Sequence, residues 1–190
     1  MRPDIIILGE MRRKKDAEVL FDSMHTGHSV YATVHADSIN ETIQRLVNAP
    51  IEIAENLLEA VQLNVVMFRD RRKGLRRIYQ LGEFIGGDSD SGKSSMRGNI
   101  LYRWKPTTDE IVRHQESLKL FEELSRHIGF NQNEIEKDLN DKQQVLNWLV
   151  KNNIRSVEQV GHIMKLYYLD NEDLLKNIKK NISYEALTKK

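Results

Sequence analysis

The sequence contains no cysteine among its 190 residues. Disulfide bonds, zinc–thiolate sites and thiol nucleophiles are therefore excluded. Positive and negative charges nearly cancel, at a net charge of +1. The net charge therefore gives no electrostatic attraction that would favour a nucleic acid or an anionic membrane surface as a partner. The longest apolar run near the start, Ile5–Leu8, is far shorter than the roughly 20 residues that a membrane span needs. The start also lacks the basic region and long apolar core of a signal peptide. The remaining composition, 39% hydrophobic and 30% charged, is typical of one medium or two small folded domains.

The first sixty residues alternate between strand and helix patterns. Residues 5–8 are β-branched and apolar, and they predict a buried, parallel strand that ends at Gly9 and Glu10. Alternation and helical spacing predict the next elements, which are a helix over 14–24, a strand over 29–35, and helices over 39–47 and about 53–60. This order predicts α/β layers.

The pattern changes after residue 60. Three strand-like segments predict an antiparallel meander, over 61–68, 76–85 and 99–104. Beyond them the pattern is helical, so we predict an α/β unit over 1–106, a helical domain over 107–182 and a tail over 183–190. Apolar residues at helical spacing are expected to form the helical core, among them Val145, Leu146, Leu149, Val150, Val157, Trp148, Tyr167 and Tyr168.

Residues 87–94 fit the pattern G-x-x-x-x-G-K-[ST], which is the spelling of a P-loop. A working P-loop lies between a buried strand and a helix, whose N-terminus binds the phosphates. Here a strand-like run follows instead of a helix, and Asp88 and Asp90 would set two carboxylates against the phosphates. Both observations favour a solvated hairpin tip, and a phosphate loop stays as the alternative.

Several short motifs occur in a fixed order near the start. They are Arg2-Pro-Asp4, the strand ending in Gly9-Glu10, Gly27-His28 and Thr33-Val-His35-Ala. Together they resemble the type II/type IV secretion ATPases, which are hexameric motors of pilus assembly, protein secretion and the archaellum. The meander and the helical part look most like the archaeal branch. The resemblance implies the C-terminal half of a RecA-like P-loop ATPase domain with an antiparallel β meander, followed by a small α-helical domain.

The resemblance also implies roles for four residues. Glu10 would end the family's variant Walker B strand and polarise the attacking water, or hold it through Mg²⁺. His28 and His35 match the family's histidine box and would both bind the nucleotide, and His35 would stabilise charge at the γ-phosphate of ATP. Arg12 matches a family arginine that would pair with phosphate or with a neighbouring subunit. Each residue also has a plain structural interpretation, as a helix cap, a hydrogen-bonded histidine or a surface arginine.

The family's Walker A loop precedes the Walker B strand, and residues 1–4 leave no room for it. ATP and Mg²⁺ are thus the cofactors implied for a full-length protein, while we expect neither to be found bound to this chain, which should bind ATP weakly at best and hydrolyse none. No direct metal site is expected, apart from a Mg²⁺ contact at Glu10. The implied partners are identical subunits in a hexamer and a membrane platform protein, with a cytoplasmic location at the inner face of the membrane.

Nucleic acid is not an expected partner, because the basic segment 69–77 is better explained as a solvated hairpin or a subunit contact. The alternative to a motor fragment is a non-enzymatic interaction module derived from the same family.

Overall fold

The computed structural model of the protein describes residues 3–86 and 96–187. They fall into two compact units, Met1–Glu123 and Leu124–Lys190. The division comes later than the boundary predicted at residue 106, because a further strand at Glu110–Arg113 completes the meander of the first unit. The P-loop look-alike at 87–94 lies outside the described residues.

The first unit begins with two parallel strands joined by a helix. Strand β1 (Ile5–Leu8) pairs with β2 (Ser29–Ala32), so that Ile5 lies opposite Ser29. Helix α1 (Lys14–His25) connects them, and it buries Ala17, Leu20 and Phe21. The parallel pairing predicted from the sequence is therefore confirmed.

The burial predicted for β1 is wrong. Ile5 is 54% exposed and Ile7 is 76% exposed, whereas Leu8 packs against the core that contains Phe21. In the described residues this sheet has two strands, so one of its apolar faces stays open to solvent. A parallel strand is normally covered on both faces.

Helix α2 (Ile39–Val47) follows β2 and begins as predicted. The Ser38 side chain accepts a hydrogen bond from the Glu41 backbone N–H at 3.1 Å, which satisfies one of the free donors of the first turn. Ile43 is buried below it. The next helix, predicted over about 53–60, is a 3₁₀ helix at Glu55–Ala60, a form that occurs mainly in short pieces.

Four antiparallel strands form the meander in the order of the chain, and they are β3 (Asn64–Asp70), β4 (Leu75–Ile85), β5 (Arg97–Lys105) and β6 (Glu110–Arg113). The three predicted strands are confirmed. The sequence prediction missed β6, which has only four residues and follows a tight turn in which Asp109 has a positive φ of 54°. Such a short strand is defined by its partner β5 rather than by its own pattern.

Helix α2 is fixed to the meander through two glycines. Ile39 packs on Gly82 and Gly98, and a Cβ atom at either glycine would collide with its side chain. The buried Gln80 accepts a hydrogen bond from the Ile39 backbone N–H at 3.0 Å. These contacts hold the loop that precedes α2, which includes His35, beside the sheet.

Up to residue 187, where the description ends, five helices follow, and they are α3 (Leu120–Ile128), α4 (Gln132–Lys151), α5 (Val157–Leu169), α6 (Asn171–Lys179) and α7 (Tyr184–Leu187). Asn131 and Glu134 form the predicted capping box of α4, with hydrogen bonds of 3.0 and 2.8 Å. Ser156 and Asp170 cap α5 and α6, as expected. No helix in the described ranges is both long and apolar enough to cross a membrane.

The core of the second unit confirms the predicted packing of Trp148 and Tyr167, which are 4% and 3% exposed. Four other predicted core residues are exposed, and they are Leu146, Val150, Val157 and Tyr168, at 52% to 83%. The apolar stripes of α4 and α5 are wider than the core that they cover. Leu187 of α7 packs into this core, although the sequence predicted an unpacked tail there.

Candidate functional site

The candidate site lies where β1 and β2 end. Beyond the strands, the Met11 backbone N–H donates to the Thr33 carbonyl at 2.8 Å, and the Thr33 hydroxyl donates to the Gly9 carbonyl. These two bonds keep the chain segments adjacent past the last paired residues. As a result, Glu10 and His35 leave the sheet side by side at its carboxyl edge, where open α/β sheets bind ligands.

The structure brings together three of the four predicted site residues. The Glu10 Oε1 atom lies 3.1 Å from His35 Nε2, and Oε2 forms an ion pair with the Arg12 guanidinium. The Glu10 side chain is 25% exposed, whereas His35 is 85% exposed and Arg12 is 72% exposed. The carboxylate therefore lies at the base of the cluster, while the imidazole and guanidinium face solvent.

The cluster holds Glu10 in its charged form. The hydrogen bond from Arg12 is the largest influence and lowers the pKa of Glu10, and the positive charges of Arg12, His35 and Arg45 lower it further against a smaller effect of burial. The same hydrogen bond raises the pKa of Arg12. An ionised carboxylate with a lowered pKa is a poor proton acceptor, so orienting water or contacting a cation suits Glu10 better than abstracting a proton.

A magnesium ion fits this donor set only together with other ligands. Within residues 3–86 and 96–187, no three His, Asp or Glu side chains come together to hold a metal ion. Protein-bound Mg²⁺ usually takes one or two carboxylates, several waters and the phosphate oxygens of a substrate. Glu10 can supply one such carboxylate oxygen once Arg12 turns away from it.

His28 lies apart from the cluster. It immediately precedes β2, while His35 follows it, so the two histidines lie at opposite ends of the strand. His28 Nδ1 is 3.1 Å from Thr26 Oγ1 and 3.3 Å from the Ser23 carbonyl oxygen. These contacts fix the turn between α1 and β2, which is a positioning role. The strand predicted over 29–35 already separates the two histidines, although the histidine-box motif treats them as a pair.

A cleft of about 1090 Å³ opens beside His35. It is lined by His35 and Asp37 and by residues of β3 and of the turn between β3 and β4. Apolar side chains of the meander complete it, including Met67, Phe68, Tyr79 and Trp104. The sequence showed the positive charge of this turn but gave no indication that it lies near His35, because the two segments are more than thirty residues apart.

The first 75 residues match the family model described as "Type II/IV secretion system protein". Two proteins of Methanocaldococcus jannaschii are similar over more of the chain. Uncharacterized protein MJ1287 is 32% identical over 154 residues, which are 79% of this chain and 55% of that protein. Uncharacterized protein MJ0900 is 30% identical over 174 residues, 88% of this chain and 31% of that protein. The chain thus spans between about a third and just over half of the length of these two relatives.

The type IV pilus assembly ATPase PilB of Pseudomonas aeruginosa is 41% identical over 61 residues, 32% of this chain and 11% of that protein. The type II secretion system protein E of the same organism is 40% identical over 50 residues, 26% of this chain and 10% of that protein. Through its first 75 residues, this chain is therefore related to the ATPases of type II secretion and type IV pilus systems.

Proposed function

We propose that this chain is the C-terminal part of a secretion or pilus-assembly ATPase, and that Glu10 and His35 face the γ-phosphate of ATP. The observation that carries the proposal is the 3.1 Å contact between these two side chains at the carboxyl edge of two parallel strands. The relation of this segment to secretion ATPases supports it. In this proposal, residues 1–106 are the second half of a RecA-like domain of the archaeal branch, and residues 107–182 are its helical companion.

Each side chain of the cluster has a task that its position allows. Glu10, held by its neighbours in the charged form, orients the attacking water or a Mg²⁺ ion, which would neutralise charge on the phosphates. The exposed His35 donates a hydrogen bond to the oxygens that gain charge during transfer. The exposed Arg12 exchanges its contact with Glu10 for one with phosphate, which frees a carboxylate oxygen. His28 acts indirectly, by fixing the turn before β2.

The proposal places the loop that grips the β- and γ-phosphates outside residues 1–190. Phosphoryl transfer depends almost entirely on positioning and on charge stabilisation, so without that loop the chain alone turns over no ATP. In the full motor, identical subunits form a hexamer, and hydrolysis drives filament assembly or secretion at a membrane platform protein. The motor is then cytoplasmic and reaches the membrane through that partner.

The test is a phosphate-release assay with Mg-ATP on two polypeptides. One is residues 1–190, and the other extends the reading frame upstream of Met1 to include a loop of the type G-x-x-x-x-G-K-T. We expect no turnover by the first, and turnover by the second that falls about 100-fold or more in the Glu10→Gln variant. Unchanged turnover in that variant contradicts the proposal. An upstream frame without such a loop favours the interaction module instead.

A further inference from the structure

The cleft beside His35 carries more positive charge than its own carboxylates can balance. Asp70 keeps its negative charge, because its Oδ1 atom accepts hydrogen bonds only from neutral groups, the backbone N–H groups of Arg72 and Lys73, at 2.8 and 3.2 Å. Asp109 is paired with Arg77, which does not line the cleft. Two lining carboxylates, Asp37 and Asp70, therefore remain to balance the cations of the cleft.

Asp109 is held especially tightly. Arg77 donates to both of its oxygens, at 2.7 and 2.6 Å, and the Trp104 indole N–H donates to Oδ1 at 2.8 Å. The hydrogen bond from Arg77, with a second from Trp104, lowers the pKa of Asp109 to about 2. The charge of Asp109 is therefore neutralised by Arg77, which is not one of the residues that line the cleft.

Three exposed cations at the end of β3 and in the turn that follows it line the cleft, and they are Arg69, Arg71 and Lys73. Among the described residues, none of their side chains makes a hydrogen bond or an ion pair. Asp37 is a lining carboxylate that is also without a side-chain partner in the described part of the chain. Three cations thus face two carboxylates that no other cation neutralises, Asp37 and Asp70, in a space that also contains His35. The remaining surplus of positive charge attracts anions.

We propose that this cleft binds the phosphate chain of the nucleoside triphosphate, with Arg71 and Lys73 contacting the phosphates together with His35. The inference rests on the proposed function, and it adds a second group of phosphate-binding residues to Glu10, Arg12 and His35. A volume of about 1090 Å³ exceeds what a single phosphate ion needs and accommodates a nucleotide-sized ligand. Guanidinium groups suit phosphate oxygens, because their planar donors bind two of them at once.

Two double variants of the same turn provide a matched test. Arg71→Ala/Lys73→Ala removes two cations that line the cleft, while Arg72→Ala/Arg76→Ala removes two exposed cations that do not. The probes are tripolyphosphate, Mg-ATP and adenosine, titrated at low salt into the 190-residue chain while backbone amide signals are followed by NMR. Circular dichroism confirms that each variant is folded.

We expect saturable binding of tripolyphosphate and Mg-ATP, no binding of adenosine, and affinity that falls as salt is added. Removing the two lining cations is expected to weaken binding about fivefold, and the control variant less than twofold. Equal effects of the two variants, or shifts confined to residues 87–94, overturn the inference. Binding that needs Arg71 and Lys73 but is unchanged by His35→Ala supports the cleft and contradicts the proposed role of His35, so the two failures are distinguishable.

Discussion

Replacing Glu83 by glutamine should destabilise the first unit more than any exposed substitution. Glu83 lies in β4 and is 0% exposed. Its Oε1 atom accepts hydrogen bonds from Asn99 Nδ2 at 2.8 Å and from the Leu118 N–H at 2.6 Å. Its Oε2 atom accepts from Ser117 Oγ at 3.1 Å and from the Leu120 N–H at 3.0 Å. The carboxylate thereby fastens residues 117–120 to the sheet.

The magnitude follows from these four donors. Glutamine has a single oxygen, so whichever position its amide nitrogen takes, that nitrogen meets two donors that need an acceptor. A buried donor left without a partner costs about 1–3 kcal/mol, and the Ser117 hydroxyl alone can rotate to accept. We therefore expect Glu83→Gln to lower the free energy of unfolding by about 2–4 kcal/mol.

Urea unfolding, monitored by tryptophan fluorescence, measures the loss of unfolding free energy in the first unit alone. The chain has two tryptophans, Trp104 in the first unit and Trp148 in the second, so Trp148→Phe leaves a single reporter for the first. The control is Glu116→Gln, whose side chain is 68% exposed and which should change stability by less than about 0.5 kcal/mol. Equal midpoints for Glu83→Gln and the control would refute the reasoning.

The pH dependence provides a second arm of the same experiment. Burial raises the pKa of Glu83, but the hydrogen bonds from Leu118, Asn99, Leu120 and Ser117 outweigh it and hold the pKa below its ordinary value of 4.5. The stabilisation by this carboxylate is therefore complete above pH 4.5 and is lost as the pH falls through the lowered pKa. The stability difference between the wild type and Glu83→Gln should shrink over that interval, and a constant difference would contradict the assignment.

Two further predictions concern packing and charge in the same unit. Gly98→Ala should lower the free energy of unfolding by about 1–3 kcal/mol because its Cβ meets Ile39, and Ile39→Ala should recover part of the loss in a double-mutant cycle read by urea unfolding. Asp109→Asn should destabilise the meander at neutral pH, because it removes the negative charge opposite Arg77 and the Oδ2 atom that accepts from the Arg77 Nη2 group. Since the pKa of Asp109 is about 2 instead of 3.8, this destabilisation should fade as the pH falls from 3.8 towards 2, and thermal unfolding across that range checks it.

Local patterns were sufficient to predict the elements that position the site. The apolar run at residues 5–8 and the alternation after Ser29 predicted two strands, and their parallel pairing follows from the helix between them. Once both strands run in one direction, residues that follow them share an edge of the sheet. The contact of Glu10 with His35 could therefore be expected from the sequence before any distance was known.

The features that the sequence could not predict depend on distant partners. The exposure of Ile7 depends on what covers its face of the sheet, and the exposure of Tyr168 depends on how far the helical core extends. β6 is recognisable only beside β5. The place of Arg71 near His35 is likewise a consequence of the fold.

The most direct test of the central claim compares the imidazole signals of His35 and His28 by NMR while Mg-ATP is added to millimolar concentration. If His35 faces the phosphates beside Glu10, its ring signals should move saturably, while those of His28, held by Thr26 at the other end of β2, should stay nearly fixed. His35 signals that remain fixed while other signals of the chain move would contradict the account.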